Sequence, residues 1–144
     1  MQATELALTR IIRAPREKVF AAWTDPKLLV QWWGPGPVTC PEAEMDLRAG
    51  GAYRIANREP DGSILWIHGR FERVEKPKEL VYTWTVGDNP GLPTLVTVSF
   101  LSHPEGTELQ LRHERFTDPA SRDMHLQGWG GCVDKLEVLL APPA

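Results

Sequence analysis

The chain has 144 residues, a formal net charge of −3, and six tryptophans against four phenylalanines and two tyrosines. A chain of this length buries about 70% of its extended surface, so we expect a single domain over residues 1–144 that needs no metal or disulfide to hold its core. The basic residues are scattered, which argues against a nucleic-acid partner, and the longest uncharged stretch, residues 89–104, contains prolines and is too short to span a membrane.

The beginning of the chain carries charged residues and lacks the layout of a signal peptide, which predicts a cytoplasmic protein. The two cysteines, Cys40 and Cys132, fit that compartment as reduced thiols. Cys40 is expected to be the more exposed of the two because it lies in a loop between Thr39 and Pro41.

The first elements predicted are one strand and two short helices. Loose alternation of apolar residues predicts the strand over residues 4–13. Pro15 is typical of the first position of a helix, and Asp25 before Pro26 is typical of the N-cap of another. Gly34 is expected to end this second helix.

The middle of the chain predicts six strands. Period-two alternation over residues 43–48 indicates a half-buried strand, and Gly50 and Gly51 provide the positive φ angles of a hairpin. Tyr53 and Ile55 begin the return strand of this hairpin. Turns rich in Gly and Pro, one of them at residues 89–91, separate the later strands, which are expected at residues 64–74, 80–86, 95–101 and 108–116. Because the connections are short, successive strands should pair antiparallel.

The last element predicted is one long helix. Asp118 before Pro119 marks its start, and the chain then runs to Leu140 with an apolar stripe of His125, Trp129, Cys132 and Leu136. Three glycines interrupt this helix at a cost of about 1 kcal/mol each relative to alanine: Gly128, Gly130 and Gly131. Close approach of a neighbouring backbone would compensate for them, and so would space left for a bend or for a ligand.

These elements form an α+β protein in which seven antiparallel strands have one long helix to cover them. A helix about 10–12 Å wide cannot cover so wide a sheet. A sheet curved around the helix would leave an apolar gap, which is a candidate ligand cavity.

Several segments along the chain resemble those of a known family. The chain is similar to the START-like, or SRPBCC, superfamily, and more narrowly to bacterial proteins similar to the C-terminal domain of the activator of heat-shock protein 90 ATPase. The resemblance rests on residues 9–15 (TRIIRAP), 19–26 (VFAAWTDP), 31–35 (QWWGP), 46–51 (DLRAGG), 60–62 (PDG), 68–71 (HGRF), 77–84 (PKELVYTW) and 106–109 (GTEL), and on Gly128-Trp129 before Leu136.

The resemblance implies a helix-grip fold, in which a seven-stranded antiparallel curved sheet wraps around a long C-terminal α-helix and two short helices after the first strand support one end. Members of the superfamily bind lipids, sterols, plant hormones or polyketides in the cavity, some are cyclases or aromatase-like enzymes, and some act through protein partners. The hypothesis it favours is binding of a small hydrophobic molecule, lipid, sterol or polyketide-like. A chaperone-cofactor module that binds a protein partner is the alternative, and a cyclase- or hydrolase-type enzyme is the third.

The candidate ligand-binding residues come from faces that would point inward. Trp84, Trp66 and Trp129 would surround one space if their strand faces and helix stripe point toward each other, whereas ordinary core packing explains each of them equally well. Trp23, Trp32 and Trp33 are expected to belong to the scaffold. The predicted ligand-binding residues are Trp66, His68, Tyr82, Trp84, Phe100, His113, His125 and Trp129.

No motif for a metal, a cofactor or catalysis is recognisable. His125 and Cys132 are about 10.5 Å apart along a helix axis at 1.5 Å per residue, too far to share one metal ion. The sequence therefore predicts no metal site, no cofactor and no catalytic residue, and the enzyme hypothesis would have to use His68 and His113 as acid–base groups. A homodimer and a protein partner are left open.

Overall fold

In the computed structural model, residues 5–34, 36–87 and 93–141 are described. The predicted turn at residues 89–91 lies outside them. The elements follow one another as β1 (Glu5–Ile12), α1 (Arg16–Thr24), α2 (Pro26–Leu29), β2 (Ala43–Met45), β3 (Ala52–Arg58), β4 (Ile64–Glu75), β5 (Glu79–Val86), β6 (Thr94–His103), β7 (Gly106–Glu114) and α3 (Pro119–Leu140). The predicted element order is confirmed.

The seven strands form one curved, open sheet in the order β1-β7-β6-β5-β4-β3-β2, and every neighbouring pair is antiparallel. The first strand therefore returns to lie beside the last, with Leu6 opposite His113. Helix α3 buries Trp129, Cys132, Val133 and Leu136 in the core. The architecture is the α+β helix grip that the sequence predicts.

Both predicted N-caps are confirmed. The Asp25 carboxylate accepts from the Lys27 N–H at 3.0 Å, and the Asp118 carboxylate accepts from the Ser121 N–H at 2.7 Å. The boundaries of the short helices need two corrections. Pro15 precedes the first helical residue instead of occupying it, and α2 ends at Leu29, so that Trp32 and Trp33 follow the helix in a turn.

The glycines of the first hairpin serve two different purposes. Gly50 adopts the predicted positive φ of 85°, whereas Gly51 does not. A Cβ atom on Gly51 would lie 1.9 Å from the Asp46 carbonyl oxygen, so glycine is required there by close backbone approach. The expectation that both supply positive φ angles is therefore wrong for Gly51.

The two faces of the sheet differ in what they carry. The inner face, toward α3, buries alternate residues of β5, β6 and β7, and the outer face of β3 and β4 carries charged side chains such as Arg54 and Arg70. Among the described residues, no helix is long and apolar enough to cross a membrane.

Candidate ligand-binding site

A cavity of about 190 Å³ lies between the inner face of the sheet and α3. Inward-facing side chains from one end of β3, β4 and β5 point toward it, and one face of α3 completes the wall. Its lining residues are Trp33, Asn57, Leu65, Ile67, Trp84, Val86, Met124, His125, Gly128, Trp129 and Cys132. The cavity confirms that the single long helix leaves a gap against the sheet.

The cavity opens to solvent between β4 and α3. Met124 is 68% exposed and Leu65 is 39% exposed, whereas Trp33 and Trp129 on the same wall are buried. Gly128 lies on the wall four residues after Met124 and adds no side chain to it. This glycine is one source of the space, in line with the expectation that small residues leave room beside the helix.

Three indole rings form the deep wall. The ring centroids of Trp84 and Trp129 are 5.0 Å apart, and those of Trp33 and Trp129 are 5.4 Å apart at nearly a right angle. Trp33 and Trp84 are in contact as well, at 6.0 Å. Three elements distant in sequence thus present large apolar rings around one space.

Behind this wall runs a chain of hydrogen bonds centred on His113. The Trp129 indole N–H donates to His113 Nδ1 at 3.1 Å. An indole nitrogen is a donor only, so Nδ1 must accept and the proton must be on Nε2, which then donates to the Thr94 hydroxyl at 2.7 Å. The hydroxyl in turn donates to the Trp84 carbonyl at 3.1 Å. Both nitrogens of His113 are therefore occupied by the protein.

Burial fixes the protonation state of His113. Its side chain is fully buried, and desolvation, together with the neighbouring His125, lowers the pKa of His113 to about 3. The ring is neutral at neutral pH. It positions Trp129 and Thr94, and it offers no free nitrogen to a molecule in the cavity.

The second histidine, His125, has an edge on the cavity. Its Nδ1–H donates to the Ser121 carbonyl at 2.8 Å, and its Nε2 accepts from the Trp84 indole N–H at 3.3 Å. Both of its nitrogens are therefore also engaged with protein groups. The ring contributes mainly an apolar surface to the cavity.

The two thiols are buried and free. Desolvation raises the pKa of Cys132, on the cavity wall, to about 12, and that of Cys40 to about 11. As expected, Cys40 is the more exposed of the two, at 7% against 3% for Cys132, but it is packed into the core and is not a surface thiol. Neither thiol has the lowered pKa of a nucleophile. In the described ranges, no three His, Cys, Asp or Glu side chains are grouped to hold a metal ion.

The family model of the activator of Hsp90 ATPase homolog 1-like proteins (AHSA1) matches residues 13–141. The chain belongs to this family. No curated protein gives a significant match.

Solved structures of bacterial proteins match this AHSA1 chain along nearly its whole length. A protein from Nitrosomonas europaea is 26% identical with a TM-score of 0.84, and the match covers 97% of this chain and 96% of that one. A protein from Chromobacterium violaceum is 25% identical with a TM-score of 0.86, covering 97% and 99%. The AHSA1 protein from Silicibacter pomeroyi is 27% identical with a TM-score of 0.83, covering 95% and 97%.

Three of the eight predicted ligand-binding residues line the cavity of this AHSA1 protein: Trp84, His125 and Trp129. His113 packs directly behind them. Tyr82 and Phe100 also face inward but lie in a tightly packed region, which we call the closed half, around a space of only about 10 Å³ lined by Trp23, Leu29, Met45, Tyr53, Ile55, Phe71 and Tyr82. Phe100 packs there against Trp23, with ring centroids 6.0 Å apart, and does not line the cavity.

Trp66 and His68 lie on the outer face of the sheet. Ile67, between them in sequence, faces the cavity, so both neighbours point the other way. The Arg54 guanidinium lies 4.5 Å from the centroid of the Trp66 ring, and exposed His68 donates through Nε2 to the Gly87 carbonyl at 2.9 Å. The expectation that Trp66 surrounds the same space as Trp84 and Trp129 is therefore wrong.

The same placement bears on the enzyme hypothesis. His68 lies on the outer face and His113 is fully buried on the inner face. One substrate cannot contact both side chains through the sheet. The geometry excludes this pair as the acid and base of one reaction.

Sequence reasoning missed several wall residues of the AHSA1 cavity. Trp33 was expected to be scaffold, yet it lines the cavity and donates from its indole N–H to the Asn57 side-chain oxygen at 2.9 Å. A signal for Asn57 does exist. It follows Tyr53 and Ile55 at period two, so it is an isolated polar residue on an inward strand face.

Proposed function

We propose that the protein binds a small, mostly apolar molecule in the cavity between the sheet and α3. The observation that carries the proposal is the wall itself: three indole rings surround about 190 Å³, and none of the described lining residues is an acid or a strong base. Transfer of apolar surface from water into such a space contributes about 25 cal/mol per Å². A wall of this composition suits binding by shape.

The cavity volume narrows the class of ligand. Ligand pockets for drug-sized molecules are usually about 300–1,000 Å³, and an apolar cavity of about 150 Å³ is enough for benzene. A volume of 190 Å³ therefore favours a single aromatic ring or a short aliphatic chain over a sterol or a polyketide. Because both ring nitrogens of His113 and of His125 are engaged with the protein, the site favours binding over acid–base chemistry.

Ethylbenzene is a suitable first probe because it is apolar and of the expected size. We expect it to raise the melting temperature and to shift the indole N–H signals of Trp33, Trp84 and Trp129 in ¹H–¹⁵N spectra. The signal of Trp66, on the outer face, is an internal control and should move least. Unchanged spectra and an unchanged melting temperature at saturating probe would refute the proposal.

A pair of helix variants tests the location. Gly128→Leu places a side chain on the cavity wall, and we expect it to abolish binding of the probe. Gly130→Leu is the matched control, because Gly130 is not among the described lining residues and, of the described atoms, a Cβ there would meet the Arg10 guanidinium at 3.9 Å. Equal loss of binding in the two variants would mean that the probe does not occupy this cavity.

The alternative of a protein partner stays a prediction. Large apolar side chains are exposed on separate elements, among them Leu47 after β2, Leu101 on β6 and Val138 on α3. Singly exposed apolar residues are ordinary on protein surfaces. They give this alternative no support beyond the family membership.

A further inference from the structure

Of the two polar groups of the Asn57 side-chain amide, only the oxygen has a hydrogen-bond partner among the described residues. Its oxygen accepts from the Trp33 indole N–H at 2.9 Å. Because that indole can only donate, the oxygen must face Trp33 and the NH₂ group must point elsewhere. Within the part of the chain that the structure describes, Asn57 Nδ2 has no hydrogen-bond partner, although the residue is only 9% exposed.

The unpaired NH₂ group is in reach of the cavity. Asn57 is one of the lining residues, on the inward face of β3. No fully inaccessible side-chain nitrogen or oxygen among the described residues lacks a partner, so Nδ2 must keep contact with open space. The cavity is the space that Asn57 borders.

The other strong polar groups of the wall are already engaged. The indole N–H of Trp33 donates to Asn57. That of Trp84 donates to His125, and that of Trp129 donates to His113. His125 uses both ring nitrogens, and Cys132 adds only a weakly polar thiol. Among the described lining residues, the Asn57 amide thus supplies the one strong donor group free to meet a ligand.

We propose that Asn57 selects ligands that carry a neutral hydrogen-bond acceptor on an apolar body, such as a ketone, ester or amide carbonyl. This inference rests on the proposed function and adds the ligand's polar group to it. A carbonyl oxygen accepts from the free N–H and leaves no charge in the cavity. A carboxylate would be buried without a cation, since no lysine or arginine is among the described lining residues.

The experiment compares acetophenone with ethylbenzene, which differ only in a carbonyl in place of a methylene. Because ethylbenzene leaves water more readily, the informative quantity is the ratio of the two affinities, measured by calorimetry in the wild type and in Asn57→Leu. Removal of the donor in Asn57→Leu should lower the ratio of the acetophenone affinity to the ethylbenzene affinity by about 3- to 10-fold. Asn57→Asp, which keeps an oxygen for Trp33, should lower the ratio as well.

A second readout needs no variant. In the wild type, the Asn57 side-chain NH₂ signals should shift with acetophenone much more than with ethylbenzene, and benzoate should bind more weakly than acetophenone. An affinity ratio that is the same in the wild type and the variants would overturn the role of Asn57, and so would NH₂ shifts that are equal for both probes. Binding of ethylbenzene in that case would still support the proposed binding function of the cavity. Failure of both probes to bind the wild type would refute the proposed function and this inference with it.

Discussion

The two halves of the protein interior are built from the same residue types and differ in how they are filled. The closed half leaves a space of about 10 Å³, whereas the open half, around Trp33, Trp84 and Trp129, leaves about 190 Å³. Helices α1 and α2 supply Trp23 and Leu29 to the closed half, and α3 supplies Gly128 to the open one. Each half is therefore a filled core or a cavity according to the helix that covers it: α1 and α2 fill the closed half, and α3 leaves the open half unfilled.

Polar groups follow the same division. In the closed half, the Trp23 indole N–H donates to the Tyr82 hydroxyl at 3.2 Å, and burial raises the pKa of Tyr82 well above its ordinary value. In the open half, one side of the Asn57 amide has no protein partner in the described chain. The closed half pairs its buried polar groups internally, and the open half leaves one beside its cavity, as the proposed role of Asn57 requires.

The largest expected effect is a loss of folding stability at acid pH that arises at His113, behind the wall of the open half. His113 is neutral in the folded protein down to a pKa of about 3, whereas in the unfolded chain it protonates near 6.5. Between these values the unfolded state binds more protons, so stability falls as the pH falls, by about 1.4 kcal/mol per pH unit and on the order of 5 kcal/mol over the whole window. Urea denaturation at a series of pH values measures the slope.

Carboxylates titrate in part of the same window, so variants isolate the histidine. His113→Gln offers an amide oxygen to Trp129 and an amide N–H to Thr94, and its stability should depend on pH less steeply than that of the wild type. His68→Gln, on the outer face, should follow the wild-type profile. Parallel profiles for all three proteins would contradict a buried neutral His113.

Truncating one leucine in each half tests their packing with the same chemical change. Leu29 is fully buried in the closed half, and we expect Leu29→Ala to cost about 3–5 kcal/mol, because the loss of transfer energy is joined by a new cavity. Leu65 borders the existing cavity and is partly exposed, so Leu65→Ala should cost about 1 kcal/mol. Equal losses in chemical denaturation would show that the two halves are packed alike.

Much of the fold could be predicted because its signals are local. Asp25 and Asp118 each precede a proline, and the structure uses both as helix caps. Glycine and proline turns divide the strands, and short connections leave antiparallel pairing as the simple arrangement. The element order follows from these residues without knowledge of any long-range contact.

The candidate site was harder to predict because a strand's orientation is not local. In β4, Ile64 and Trp66 alternate with Leu65 and Ile67, so both faces are apolar and period two does not tell which face is inner. On the outer face, the guanidinium of Arg54 from the neighbouring strand covers the Trp66 ring, a contact that no local pattern predicts. Likewise, Tyr82 and Trp84 share one face of β5, and only the helix opposite each of them separates the closed half from the cavity.

The smallest effect concerns the glycines of α3. Gly128→Ala and Gly130→Ala should each raise stability by about 1 kcal/mol, because alanine favours the helix, Gly128 borders the cavity, and a Cβ atom at Gly130 would lie 3.9 Å from the Arg10 guanidinium, an ordinary contact distance. The two variants should then differ once ethylbenzene is added. Ethylbenzene should stabilise Gly130→Ala as much as it stabilises the wild type. It should stabilise Gly128→Ala less, because the added methyl group occupies part of the cavity. A loss of stability in Gly128→Ala without ligand would mean that this wall is as tightly packed as the closed half, since only a filled space resists one methyl group.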